Sequence, residues 1–524
     1  MSRVGQHAEI MLPPALAALA TPAAYSHAVT AVELIETHIS WVILTGSFAY
    51  KIKRPVQYPF VDFRSLAQRE YFCREELRLN RRFAPDVYLD VCTVVRRGAT
   101  VTMGGEGEIV EYAVRMRQFD PLQELGTLVE RDDVAVPELH DFGVRLAGLH
   151  ANMTSILHAC ESDRTRGVLL ENARQCMAVT DADPERVIMR RVTVLLGKRL
   201  TACQEVLDAR SREGRVRECH GDLHMSNVAR IDGRLLAFDC LEFDPEFRHI
   251  DVAQEVAFLA MDLTVHGRAD LASAFLNAWL ATSGDYAAVE LLDLFEAHCA
   301  LVRAKVSGLN ITRPATRHQS ALRERQVKCI AHADARLATA RPQLILMHGL
   351  SGSGKSWLAA RLALAMPAIH LRSDIERKRL AGLAPQRSSS SLPGAGLYVP
   401  ELTQATYARL VELAAAVLRG GRSALIDATF LERDKRALFA SLAGKLGAPL
   451  KLLDCRAPDD VLRARLVARR SAGHDPSEAD QDVVQWQRDH AEPIGHDEGI
   501  RVLNVDTTAA QAVDLAHRQL ADRD

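Results

Sequence analysis

Eight residues constrain this chain more than any other stretch: Gly349, Leu350, Ser351, Gly352, Ser353, Gly354, Lys355 and Ser356. They match the phosphate-loop pattern G-x-x-x-x-G-K-[ST] in full. The apolar run Leu344 to Met347 before them reads as a buried strand, and Trp357 to Ala365 after them as a helix. Glycines let such a loop curl so that successive backbone N–H groups converge on phosphate oxygens, and the helix N-terminus adds partial positive charge. Lys355 would reach the terminal phosphates and Ser356 would hold a magnesium ion. A strand feeding such a loop opens its own domain, so a domain starts near Pro342 and roughly 340 upstream residues need a separate account.

A length of 524 residues suggests about three domains, or two large ones. Apolar residues at 48% and charged ones at 25% are ordinary for globular protein and allow large cores. The formal net charge of −2 argues against a protein built mainly to coat nucleic acid. Ten cysteines, with no C-x-x-C pair, point to reduced and mostly buried thiols in a cytoplasmic protein. The apolar run Met11–Ala20 contains Pro13 and Pro14, lacks a clear basic flank, and reads as the start of a domain and not as a secretory signal. No apolar run reaches membrane-spanning length.

Along the chain, residues 25–38 read as a helix with apolar positions Val29, Val32, Leu34 and Ile35. Residues 41–45 and 48–53 flank Gly46-Ser47 as a β-hairpin. On its second strand Lys51 and Lys53 share one face. Such a face is as readily solvated as functional until a partner appears. The helical stretch 65–83 offers Glu70, Glu75 and Glu76, and a strand lysine held by a helix glutamate is how kinase-like folds aim a lysine at nucleotide phosphates. Further strands over 87–119, a helix ending near His150 and a helical region over about 185–210 complete a strand-rich lobe followed by a helical one.

The chemistry of this part lies in His220-Gly-Asp222-Leu-His224-Met-Ser-Asn227 and in Leu235-Leu-Ala-Phe-Asp239-Cys-Leu-Glu242. In a phosphotransferase Asp222 would accept the substrate hydroxyl proton, while Asn227 and Asp239 would hold Mg²⁺ on the nucleotide. Zinc ligation by His220 and His224 would need both on one helix, which Gly221 disfavours. With these residues in place, the stretch from about 40 to 310 resembles the aminoglycoside phosphotransferase and choline kinase family. The resemblance implies that Lys51 is the nucleotide lysine, with Glu76 as its first-choice partner and Glu75 second. It also implies that His220 is structural and that Asp251 braces the catalytic loop. Lys53 is expected to matter less than Lys51. The carboxylate-rich Cys240-Leu-Glu242-Phe-Asp244 departs from the commonest family sequence, and no glycine-rich loop precedes the hairpin.

Residues 290–310 and 315–338 read as helices, the second basic and chiefly a solvated connector. Beyond the phosphate loop, Ala368–Leu371 reads as a strand with Asp374 at its carboxyl end, where open α/β sheets bind ligands. Asp374 is a candidate general base toward an acceptor hydroxyl, with a helix-capping role for it or for Ser373 as the alternative. Arg377 follows within reach of an anionic acceptor. Residues 386–400 read as a flexible loop, 401–418 as a helix, and Ser423–Asp427 as a strand ending in a carboxylate suited to Mg²⁺. The helix over 459–470 carries Arg463, Arg465, Arg469 and Arg470; Arg465 and Arg469 are candidates for a lid that steadies phosphoryl charge. This part resembles P-loop kinases that include gluconate kinases, polynucleotide-kinase-like proteins and zeta-toxin-like kinases, and the whole chain resembles bacterial proteins joining the two kinds of domain.

The fold expected is an α+β two-lobed protein-kinase-like domain over residues 1–312, a helical linker over 313–340, and an α/β P-loop kinase domain with a parallel sheet over 341–524. The function expected is ATP- and Mg²⁺-dependent phosphate transfer at two sites to small-molecule hydroxyls. The alternatives are a P-loop domain that senses ATP without phosphorylating a metabolite, and a nucleotide- or polynucleotide-end kinase. Nucleic acid is not the expected partner, a membrane is not one, and the residues leave the oligomeric state and both acceptors open.

Overall fold

Gly46, with φ at +88°, turns the chain between two strands that pair antiparallel from Ser40↔Lys53 to Leu44↔Ala49. This hairpin is the centre of the first of two units in the computed structural model, which describes residues 12–58, 61–158, 160–311, 319–384, 397, 399–472 and 481–522. The first unit comprises Met1–Glu138, Leu149–Ala159 and Ala209–Asp262; the second comprises Leu139–Gly148, Cys160–Asp208 and Leu263–Asp524.

In chain order the first unit opens with β1 Glu33–Glu36, β2 Ser40–Leu44, β3 Phe48–Lys53, β4 Gln57–Tyr58, β5 Val61–Asp62 and α1 Leu66–Asn80. It continues with β6 Tyr88–Arg97, β7 Thr100–Met103, β8 Glu108–Arg117 and α2 Leu125–Glu130. Six strands form an antiparallel sheet in the order β1-β2-β3-β8-β6-β7. The helix expected over 25–38 does not form: residues 33–36 are β1, paired with β2 from Glu33↔Leu44 to Glu36↔Trp41. The β-branched Val32 and Ile35 suit an extended chain, and the ladder to β2 outweighs a weak helical periodicity. Val29, Val32 and Leu34 still pack on the core, beside Trp41, Ile43, Tyr50 and Ile52. The apolar N-terminal run closes that core, with Leu12, Leu16 and Leu19 buried around a short 3₁₀ turn. Ser65 caps α1 by accepting from the Gln68 N–H, and the helix buries Cys73, Glu76, Leu79 and Asn80.

Four helices follow, α3 Val136–Asn152, α4 Glu161–Ala178, α5 Asp183–Ala202 and α6 Gln204–Arg212. Of these α4 and α5 belong to the second unit, and the first finishes with β9 Val216–Glu218, β10 Val228–Ile231, β11 Arg234–Ala237, β12 His249–Asp251 and, as far as Asp262, α7 Val252–Val265. The β9–β12 and β10–β11 pairs frame the segments 219–227 and 238–248.

The second unit contains α8 Ala269–Ser283, α9 Val289–Ile311 and α10 Gln319–Leu337, then β13 Leu344–His348, α11 Lys355–Ala365, β14 Ala368–Arg372 and α12 Ser373–Leu380. It ends with α13 Pro400–Arg419, β15 Ser423–Asp427, α14 Arg433–Leu446, β16 Leu450–Arg456, α15 Asp459–Ala472, α16 Gln481–Asp489, β17 Arg501–Asp506 and α17 Ala512–Ala521. Five parallel strands run in the order β14-β15-β13-β16-β17, so the strand feeding the phosphate loop is central. Ile345, Met347, Leu425 and Leu453 bury one side of the sheet against Leu358, Leu362, Ala516 and Leu520. Such strands, covered on both faces, read as continuous apolar runs.

The stretch read as a basic connector is a packed helix: Gln326, Cys329, Ile330 and Ala333 of α10 are buried and Arg336 pairs with Glu296 at 2.8 Å. Residues 313–318 of that segment, and nearly all of the loop at 386–400, lie outside the described residues. Helices α8 and α9 belong to the same unit as the parallel sheet, and polar contacts bind them to it. Asn277 of α8 accepts from the His370 N–H at 2.8 Å and donates to the Ala368 carbonyl at 3.2 Å, so its side chain serves the free edge of β14. Arg422, just before β15, is buried with Asp293 at 2.5 Å and Glu296 at 2.7 Å, both from α9.

Candidate active sites

The first constellation forms on β3, α1 and the segment after β11. Alternation along β3 turns Lys51 and Lys53 to one face, and α1 places Glu76 beneath both. Lys51 Nζ donates to Glu76 Oε1 at 2.8 Å and to Asp239 Oδ1 at 2.5 Å. Lys53 donates to the other oxygen of Glu76 and to Glu242. Both lysines are buried, so the solvated-face alternative does not describe them. Glu75, the second choice of partner for Lys51, pairs with Arg78 and Arg248. Burial works against the Lys51 charge, but Asp239 and Glu76 outweigh it and hold its pKa well above the ordinary value. Burial likewise opposes ionisation of Asp239, and the Lys51 charge holds that carboxyl below the usual range. Asp239 sits at φ +65°, a left-handed backbone that a non-glycine residue seldom adopts, and its N–H donates to the buried Tyr88 hydroxyl at 3.0 Å.

The catalytic-loop candidates lie close together. Asn227 Nδ2 donates to Asp222 Oδ2 at 3.0 Å and to the Asp222 carbonyl at 2.9 Å, leaving the Asn227 amide oxygen for a cation. His224 Nε2 lies 3.3 Å from Asp222 Oδ2. His220 uses one ring nitrogen toward the Phe238 carbonyl at 2.9 Å and the other toward the Asp222 N–H at 3.3 Å. With its second nitrogen on the Ser226 N–H, His224 too has both ring nitrogens engaged, which removes the zinc alternative. The brace expected from Asp251 comes from a different carboxylate. Asp251 is locked to Arg210 through two 2.8 Å contacts, whereas Glu255 of α7 accepts from the His220 and Gly221 N–H groups at 2.9 Å each. Gly221 is required there: at φ +85° a Cβ would meet the Phe247 carbonyl oxygen at 2.7 Å. One carboxylate and one amide oxygen, from Asp239 and Asn227, suit Mg²⁺, a hard cation.

The second constellation surrounds the phosphate loop. Lys355 Nζ donates to the Gly349 and Leu350 carbonyls at 2.8 Å each, and Ser353 N–H to the Leu350 carbonyl at 3.1 Å. At Gly349, φ is +131° and a Cβ would meet the Cys455 carbonyl oxygen at 2.5 Å. Asp427 receives a hydrogen bond from Ser356 and lies 3.2 Å from His370 Nε2 and 3.6 Å from Arg372 Nε. Burial opposes its charge, yet His370, Arg372 and Ser356 together lower its pKa to about 2. The Ser356 hydroxyl beside the Asp427 carboxylate is an oxygen donor set that fits Mg²⁺. Helix α12 begins at Ser373, so neither that residue nor Asp374 is its N-cap. Asp374 lies in the first turn and accepts from Arg377 Nη1 at 3.1 Å.

Arg465 donates to Thr507 Oγ1 at 2.9 Å and to the Gly352 carbonyl at 3.4 Å, and the Thr507 hydroxyl donates to the Ser353 carbonyl at 2.7 Å. Arg465 therefore supports the loop through Thr507. The side chain of Arg469 lies outside the described residues. Among the described residues, four further ones touch this site without a sequence signal that names them. Gln487 of α16 clamps Ser351, accepting from its N–H at 2.8 Å and donating to its hydroxyl at 3.1 Å. Thr507, His370 and Arg372 are the others. Gln487→Ala is expected to loosen the loop and, where the loop holds a nucleotide, to weaken that binding by about 3–10-fold, the worth of a hydrogen bond or two. Nucleotide titration would show it; unchanged affinity would make the clamp incidental.

The model of a family described as an AAA domain matches residues 344–494. An uncharacterized protein of Mycobacterium tuberculosis (strain ATCC 25618 / H37Rv) is 30% identical over 452 residues, which are 85% of this chain and 87% of that protein. Among solved structures, an ethanolamine kinase of Plasmodium vivax aligns with a TM-score of 0.34 and 10% identity, over 58% of this chain and 83% of its own. A gluconokinase from Sinorhizobium meliloti aligns with a TM-score of 0.25 and 21% identity, over 35% of this chain and 93% of its own.

Proposed function

The chain belongs to one family with the mycobacterial protein that it matches over most of both lengths, and from that premise we propose that it is a tandem of a protein-kinase-like and a P-loop kinase domain with two phosphotransferase sites. In this reading it is an ATP-dependent phosphotransferase, and the match of residues 344–494 to an AAA-domain family supports the nucleotide part of it. In this reading each site binds its own Mg·ATP and transfers the γ-phosphate to a hydroxyl of a small molecule. The observation that supports it is the run of contacts Glu76–Lys51–Asp239, with Asn227–Asp222 in the same unit, residues of the types that a nucleotide lysine, a cation ligand pair and a proton acceptor require. Asp222 takes the acceptor's proton there, and Mg²⁺, held by Asn227 and Asp239, would neutralise charge on the phosphates.

In the P-loop domain Lys355 and the loop N–H groups bind phosphate, Ser356 and Asp427 hold the cation, Asp374 orients the acceptor hydroxyl and Arg377 its anionic group. Ten free thiols support a cytoplasmic setting, and no helix among the described residues is long and apolar enough to cross a membrane. The domain limits proposed remain 1–312 and 341–524 for the two sequence modules. A second reading, in which the P-loop domain senses ATP, is favoured by the hydrogen bonds that tie β14 to α8. Nucleotide held beside Asp427 would then bear on helices of the upstream module through Asn277.

The test uses the full-length protein with γ-labelled ATP and a metabolite extract. Lys355→Ala is expected to remove one set of labelled products and Asp222→Asn the other. Loss of both sets from either change, in a folded protein, would refute two independent sites. Asp374→Asn should slow transfer at the P-loop site with nucleotide affinity nearly intact, and Arg377→Ala should raise the acceptor KM. ATP binding with no labelled product assignable to this site, and no change on Asp374→Asn, would favour sensing.

A further inference from the structure

Lys53 is fully buried, as is Glu76, and Glu242 is only 3% exposed. A lysine inside a protein survives only where its charge is matched, so each of these contacts has an energetic role. Glu76 spends one oxygen on Lys51 and the other on Lys53. Lys51 continues to Asp239 and Lys53 to Glu242, so two lysines on β3 reach a single segment of chain three residues apart. Asn80 adds a parallel tie, donating to the Glu76 carbonyl at 2.9 Å and accepting from the Cys240 N–H at 2.9 Å. The ring of contacts is closed: Asp239, Lys51, Glu76, Lys53, Glu242, and back along the backbone. Two ammonium groups serve three carboxylates, and the exposed side of the ring is Asp239, whose side chain is 29% accessible.

We propose that Lys53, paired with Glu242, is a positioning residue of the first site: by occupying the second oxygen of Glu76 it fixes the Lys51 ammonium against Asp239. This rests on the reading of that site as an Mg·ATP site, and it gives a role to Lys53 while Lys51 still matters more. With Lys53 gone, Glu76 turns freely about its last bond, and one ammonium group is left for three carboxylates. Lys51 is then drawn among Glu76, Glu242 and Asp239, and the cation-holding carboxylate loses its fixed orientation. The carboxylate-rich Leu241-Glu242-Phe243-Asp244 acquires a purpose in the same step, since Glu242 is the counter-charge that lets a second lysine be buried beside the first.

The experiment is calorimetric titration of Mg·ATP into the full-length Lys355→Ala protein, whose P-loop site is disabled, with thermal unfolding measured alongside. Adding Lys53→Met is expected to raise the Kd of the remaining site about 10-fold or more, the worth of a charge-assisted hydrogen bond. Lys53→Met/Glu242→Leu removes the unpaired buried carboxylate at 242, so its Tm is expected to recover while its affinity stays about 10-fold down. A merely structural pair would behave otherwise: the double variant would regain affinity along with stability, and that result overturns the inference. Lys51→Met is the control. If it abolishes binding while Lys53→Met leaves Kd unchanged, the inference alone fails. If the Lys355→Ala protein binds no Mg·ATP at all, the Mg·ATP reading of the first site fails and takes the inference with it.

Discussion

Asp222→Asn is expected to slow phosphate transfer at the first site by about 10²–10⁴-fold and to leave its Mg·ATP affinity nearly unchanged. The side chain is held at two points, by Asn227 Nδ2 at 3.0 Å and by His224 Nε2 at 3.3 Å, both on Oδ2. An amide of the same shape occupies the same place but cannot accept the proton of an attacking hydroxyl. In the proposed site nucleotide contacts run through Lys51 and Asp239, which do not touch this carboxylate in any contact described above. Phosphoryl transfer depends chiefly on positioning and charge, so a loss at the lower end of the range is the more natural result. Single-turnover transfer and a nucleotide titration on the same preparation separate the two effects. A variant that transfers phosphate at the parent rate would remove Asp222 from the reaction. One that no longer binds nucleotide would instead assign it to the binding of ATP.

Arg422→Met is expected to destabilise the second unit by about 3–5 kcal/mol, read as a fall in the denaturant midpoint. The guanidinium is buried between Asp293 and Glu296, and Glu296 also takes Arg336 at 2.8 Å and His332 Nε2 at 3.2 Å. Removing Arg422 leaves Asp293 buried with no cation among these four contacts and Glu296 with one fewer. The acid dependence has a definite sign. Burial opposes ionisation of Glu296, but Arg336, Arg422 and His332 together hold its pKa below the ordinary 4.5. A depressed carboxylate stabilises fully above its unfolded value, and the stabilisation drains away as pH falls below it. The parent should therefore lose stability below about pH 4.5 more steeply than Arg422→Met, in which part of that linkage has gone. A midpoint shift worth less than about 1 kcal/mol would show that Asp293 and Glu296 find water or other partners when the arginine leaves.

The phosphate loop was legible without any structure because its cradle is local. Glycine positions, the lysine and the serine act within eight consecutive residues, and the flanking strand and helix declare themselves by apolar pattern. The spacing of Asp222, Asn227 and Asp239 was legible for a similar reason, since one short hairpin separates the loop from the last carboxylate. Alternation on β3 placed Lys51 and Lys53 on one face, and there local information ended. Whether that face met water or a helix depended on α1 bringing Glu76 beneath it, and on residues 239–242, which lie nearly 190 positions away, supplying two more carboxylates. The helix expected over 25–38 failed on the same ground: four apolar residues fit two periodicities, and a partner strand decided between them. Gln487 reaches Ser351 across 136 positions, and Glu255 reaches the His220 N–H across 35. No spacing rule joins residues that far apart. The chain's own order suggested a linker between two modules, but the packing of α8 and α9 against the parallel sheet was set by buried charge and edge hydrogen bonds. Local sequence determined which loops could bind phosphate and cations; only the tertiary structure determined which buried charges hold them in place, because matching a charge inside a protein is a contact between distant parts of the chain.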